Sequence, residues 1–90
     1  MLAEFMKRVE QDPRIMTAHI SIYISLWTLC ESRGSAKKVL FFSREVKSMC
    51  KISSYRTFCQ RLKELHSFHY INYEPSFNPF EGSRVTFLIG

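Results

Sequence analysis

Between Thr17 and Ser32 the chain leaves a helix almost no side to turn toward water. At helical spacing, Ile20, Tyr23, Ile24, Trp27 and Cys30 form one apolar stripe, and Ile22, Leu26 and Leu29 form a second. Only the small residues Ala18, Ser21, Ser25 and Thr28 remain as a narrow strip. A helix apolar over most of its circumference is buried on more than one side. With 90 residues the chain makes one domain, since a second could not bury its own core. One side of this helix is therefore the domain core. The other must be covered by the preceding segment, a partner subunit, or both. Thr17 is the expected N-cap, and Gly34 the expected C-terminal breaker.

The flanking segments follow the same arithmetic. Leu2, Phe5, Met6 and Val9 fit the i, i+3, i+4, i+7 rule, which predicts a short amphipathic helix over residues 2–11. Asp12-Pro13 ends it, because the residue before a proline is pushed out of the helical region. Residues 1–11 are thus a candidate dimerisation arm ahead of a domain over 12–90. Val39 to Phe42 is a short β-type run. Ser43 is expected to cap a helix over 44–50, with Val46 and either Met49 or Cys50 facing inward. Ser53 or Ser54 should cap a further helix to about Ser67. Tyr55, Phe58, Cys59, Leu62, Leu65 and His66 lie on one of its sides; Arg56, Thr57, Gln60, Arg61, Lys63 and Glu64 lie on the other. Two strand-like runs, Phe68 to Glu74 and Arg84 to Ile89, flank a turn-rich connection with Pro75, Pro79 and Gly82. Phe77 and Phe80 in that connection are expected to fold back on the hairpin.

Charge is distributed unevenly over this pattern. Residues 33–63 hold nine basic side chains against the single acid Glu45, a net of +8. The remainder holds four basic and seven acidic residues, a net of −3, and the whole chain is +5. A basic middle between acidic ends suggests a polyanionic partner.

Other chemistries find little support. The longest apolar runs are a few residues, against the roughly 20 needed to span a bilayer, so no membrane partner is expected. The N-terminus has no charged leader before a long apolar block, so no secretory signal is expected, and the reading is cytoplasmic. Cys30, Cys50 and Cys59 are odd in number and form no Cys-x-x-Cys pair, which points to buried free thiols. His66 and His69 are three apart, but the helix should end between them, so they are read as structural. His19 near a helix start should cap or pack locally. There is no glycine-rich phosphate loop and no nucleophile turn, so no enzyme activity, cofactor, metal or small-molecule ligand is expected.

Two helices joined by a tight turn, the second with exposed basic and amide groups, then a hairpin, describe an α+β, mainly α, winged helix-turn-helix. Its C-terminal β-hairpin would be the wing, with a short third strand. Such a helix fits a B-DNA major groove about 12 Å wide. The expected recognition helix covers about residues 54–67. Arg56, Thr57, Gln60 and Arg61 would read the groove. Lys47, Lys51, Ser53, Ser54 and Lys63 would anchor phosphates, with Arg84 at the base of the wing.

The stretch from Thr57 to His66, continued by Tyr70-Ile71-Asn72-Tyr73-Glu74-Pro75-Ser76-Phe77-Asn78-Pro79 and Gly82-Ser83, resembles small winged helix-turn-helix regulators carried on bacterial mobile elements. His19-Ile20-Ser21-Ile22-Tyr23 and Ser43-Arg44-Glu45-Val46 are similar as well, so the likeness runs over residues 12–88. The resemblance implies a DNA-binding transcriptional regulator. Cys59 departs from the pattern where relatives tend to carry a polar or basic residue, and Arg61 where they tend to carry a small one. The combined expectation is sequence-specific binding of double-stranded DNA by a homodimer. The alternative is a protein-interaction or accessory module in excision or replication.

Overall fold

The computed structural model describes residues 2–34, 37–76 and 82–88. Its elements are α1 (Leu2–Glu10), α2 (Thr17–Ser32), β1 (Lys38–Phe41), α3 (Ser43–Cys50), α4 (Tyr55–Ser67), β2 (Ile71–Glu74) and β3 (Ser83–Phe87). The chain is a small, mainly helical α+β domain, with four helices and one three-stranded antiparallel sheet among the described residues. Among the described residues no helix is long and apolar enough to cross a membrane.

α2 is the centre, and its faces divide differently from the two expected stripes. The core side is His19, Ile22, Tyr23, Leu26, Trp27 and Cys30, which draws on both. Ile20 and Leu29 are half-buried and Ile24 is exposed. The strip of small residues is not simply a solvent edge, because Ser25 is buried and the Ser21 hydroxyl donates to the Cys50 carbonyl at 3.0 Å. Small side chains let the end of α3 approach α2 closely. The cap of α2 also differs from expectation. Met16, not Thr17, occupies the N-cap position, and its backbone N–H donates to His19 Nδ1 at 2.8 Å. At the other end Gly34 adopts φ +69°, a left-handed conformation that glycine enters without a Cβ clash.

α1 packs into the core of its own chain, so the expected arm is part of the domain. Phe5 is fully buried, stacked on Tyr23 at 3.7 Å between ring centroids and edge-on to Tyr70 at 5.7 Å. Burying such a ring stabilises by about 1.5–3 kcal/mol. Met6, expected on the inward stripe, is exposed. Below α1, the Tyr70 hydroxyl donates to Asp12 Oδ2 at 2.9 Å, and Arg14 donates to both carboxylate oxygens.

The sheet order is β1-β3-β2. Val39 pairs with Val85 and Phe41 with Ser83, while Ile71 pairs with Phe87 and Tyr73 with Val85. Alternation puts Val39, Phe41, Ile71, Tyr73, Val85 and Phe87 on the inner face, against the helices. Lys38, Leu40, Asn72, Glu74, Arg84 and Thr86 lie on the outer face. Gly82 enters β3 so near β1 that a Cβ there would lie 2.7 Å from the Phe41 carbonyl oxygen. β2 begins three residues later than the expected Phe68, because residues 68–70 close α4. Tyr70 N–H bonds to the Leu65 carbonyl and His69 N–H to the His66 carbonyl, with His69 left-handed at φ 65°. This is a Schellman closure built without glycine. Phe77 and Phe80 lie outside the described residues.

Candidate nucleic-acid interface

α3 and α4 are held by short, regular apolar spacings. Val46 and Cys50 are the inward residues of α3, so Cys50 rather than Met49 takes the core position. The capping position before α3 is Phe42, with Ser43 already helical, and no side chain caps it. α3 ends at Lys51 in a left-handed conformation, φ 63° and ψ 27°. The turn then runs to Ser54, whose Oγ accepts from the Thr57 N–H at 3.2 Å, resolving the Ser53 or Ser54 alternative. Phe58, Leu62 and Leu65 fix α4 on the core. These contacts set which α4 residues are left outside.

The outward set is continuous over two helices and their turn. Lys51, Ser53, Ser54, Arg56, Thr57, Gln60 and Lys63 are all exposed, and Lys47 is half-buried beside them. Of the nine basic residues in 33–63, Arg33 and Arg61 are ion-paired. Arg33 Nη2 lies 2.7 Å from Glu45 Oε2, and its other terminal nitrogen donates to the Leu40 carbonyl. The other seven, Lys37, Lys38, Arg44, Lys47, Lys51, Arg56 and Lys63, have no carboxylate within 4.0 Å among the described residues. Unneutralised cations of one sign on neighbouring elements concentrate the field there.

Two expected site residues stand apart. Arg84 is exposed on the outer face of β3, in register with Leu40 on one side and Glu74 on the other. Arg61 is turned in. Its side chain is only 15% exposed, Nη1 lies 2.8 Å from Glu64 Oε1, and Nε is buried without a partner among the described residues. In this position it does not offer its guanidinium outward beside Arg56 and Gln60.

Two further residues were not assigned to the interface by periodicity. Tyr55 fits the inward stripe of α4 by spacing, yet it is 60% exposed at the helix start, with the Lys47 ammonium 5.7 Å from its ring centroid. Its hydroxyl is held above the ordinary tyrosine range, chiefly through the neighbouring Cys59 side chain. His66, also expected inward, is exposed, and its Nδ1 accepts from the Tyr73 N–H at 3.0 Å on strand β2. The available signal for Tyr55 was its place directly after the cap, where few neighbours can cover a side chain.

α4 is braced at two other places. At its C-terminal end Arg8 donates to the Phe68 and His69 carbonyls, while its guanidinium lies 4.0 Å from the Tyr70 ring centroid. A cation there also suits the negative end of the helix. On its flank, His19 Nε2 meets Glu64 Oε1 at 2.7 Å. Because His19 Nδ1 accepts from Met16, Nε2 carries the proton and donates to the carboxylate. His19 therefore packs and caps locally as expected, and also reaches across to α4. No cluster of three metal-ligating side chains occurs among the described residues.

No protein-family model, curated protein or solved structure matches this chain.

Proposed function

We propose that this chain is a winged helix-turn-helix protein that binds double-stranded DNA in a sequence-specific manner, as a transcriptional regulator of a bacterial mobile element. The observation that carries the reading is the set of five basic residues, Arg44, Lys47, Lys51, Arg56 and Lys63, that have no acidic partner among the described residues and lie on a helix, turn and helix whose outward face also holds Thr57 and Gln60. The strand order β1-β3-β2 is compatible with a wing beyond α4. In this reading α4 enters the major groove. Arg56 and Gln60 present groups that match guanine and adenine edges, and Lys47, Lys51, Ser53, Ser54 and Lys63 hold phosphates. Arg84 would act from the sheet rather than from the helix.

A homodimer is part of the proposal, because Met6, Met16 and Ile24 remain exposed after α1 has docked. Two half-sites about one DNA turn apart would suit it. Light scattering on a sizing column checks this, with a clean monomer counting against it. The exposed Leu40 on the outer face of the sheet favours the second reading, a protein-interaction module.

Salt dependence tests the interface. A protein making about six phosphate contacts should lose roughly a thousandfold in affinity between about 50 and about 200 mM salt. Affinity for duplex DNA that stays flat over that range overturns the proposal.

A further inference from the structure

Arg61, Glu64 and His19 form a chain of contacts that the fold alone does not require. Glu64 Oε1 accepts the His19 Nε2–H at 2.7 Å and lies 2.8 Å from Arg61 Nη1 in an ion pair. His19 is itself immobilised, being buried and bonded through Nδ1 to the Met16 backbone. The carboxylate is therefore anchored to α2. Among the described residues Arg61 has that carboxylate as its one ionic partner, and its buried Nε–H finds no acceptor. A buried donor without an acceptor disfavours the position it occupies. A guanidinium offers Nε and a terminal nitrogen as a planar fork, and a phosphate can accept both bonds at once.

We infer that Glu64 is a positioning residue that stows Arg61, and that Arg61 leaves it for a backbone phosphate when duplex DNA occupies the face of α4. This rests on the proposed DNA-binding function. Glu64 holds Arg61 in the unbound protein, a phosphate holds it in the complex, and His19 keeps the carboxylate from following the arginine outward. Arg61 thus adds a contact absent from the unbound surface, at the cost of breaking one ion pair. Arg56 and Lys63, with no acid to leave among the described residues, carry no such cost.

The test is a double-mutant cycle read by fluorescence anisotropy on a labelled duplex of mixed sequence, across a salt series. The proteins are the native chain, Glu64→Gln, Arg61→Ala and the double variant, each checked by thermal melting. Glutamine keeps an acceptor for His19 while removing the charge that holds Arg61. Arg61→Ala should weaken binding and reduce the salt slope by about 0.9, the value of one phosphate contact. Glu64→Gln should tighten binding about twofold to fivefold, the worth of one weak ion pair, with the salt slope unchanged because the final contact is the same. In the Arg61→Ala background that gain should disappear. An equal gain with and without Arg61 would show only the removal of a negative charge and would overturn the inference. So would an Arg61→Ala variant with unaltered affinity and slope. Absence of salt-dependent binding by the native chain would instead bring down the DNA-binding function, and this inference with it.

Discussion

Arg8 and Arg14, near the start of the chain, carry the same charge as Arg56 and Lys63 on α4 but stand in opposite circumstances. Arg8 is spent on two backbone carbonyls and an aromatic ring, and Arg14 on Asp12 and the Phe68 ring. Arg56 and Lys63 meet no acid among the described residues and project from an exposed helix face. The region of α1 and α2 uses its polar groups to hold the fold. The region of α3 and α4 holds itself mainly by apolar spacing and, with Glu45, Arg61 and Glu64 as the paired exceptions, leaves most of its charged groups outward. Partnered charge marks scaffold, and unpartnered charge on a rigid element marks a surface available to a ligand.

If that division is right, damage to the first region should read out as stability and damage to the second as binding. Phe5→Ala should have the largest effect, destabilising by about 3–5 kcal/mol through loss of a buried stacked ring; chemical denaturation measures it. Arg56→Ala should leave stability within about 0.5 kcal/mol but cost about 1–3 kcal/mol of affinity on the preferred sequence alone. An equal loss on random DNA would reassign Arg56 to phosphate. Lys51→Gly sharpens the contrast, because one substitution should move the two readouts in opposite directions. Relief of the left-handed backbone should add about 1 kcal/mol of stability, while the salt slope of DNA binding falls by about 0.9.

The smallest effect is an acid one. Hydrogen bonds from Arg14, with help from Tyr70, hold the Asp12 carboxyl well below its ordinary value of 3.8. A group depressed in the native state contributes stability above its ordinary value and loses it as pH falls toward the native one. The difference in melting temperature between the native chain and Asp12→Asn should therefore be fully present at about pH 6 and shrink below about pH 4. A difference that stays constant to about pH 2 would show that the carboxylate charge is not what matters.

Much of the scaffold was legible because periodicity is a strong signal within one element. Phe58, Leu62 and Leu65 are buried at helical spacing, and Val39 and Phe41 alternate as a half-buried strand should. Periodicity fails where neighbours run out, and Tyr55 is the example. It obeys the stripe, but the first residue of a helix has no turn before it to share the cover. The closing turn of α4 was unreadable for a different reason. His69 takes the left-handed position where glycine is the usual marker, so the strand was expected to start too early. The pairing of Arg61 with Glu64, three residues apart, was within reach of spacing rules. That His19 would seize the same carboxylate from 45 residues away was not. The outward residues Arg56, Gln60 and Lys63 were placed by exclusion, since the apolar face of α4 left them nowhere else to go.

The clasp between Arg8 and the carbonyls of Phe68 and His69 spans about sixty residues of sequence, and this dictates an order of events on the ribosome. While the chain is being made, Phe5 of α1 can meet Tyr23 early, but its edge contact with Tyr70 and the Arg8 clasp can close only after α4 has been synthesised. Contacts of such long separation are the slow ones in folding. α1 is then among the last elements to be fully held in place, and until it is, its apolar side needs protection from association with other chains.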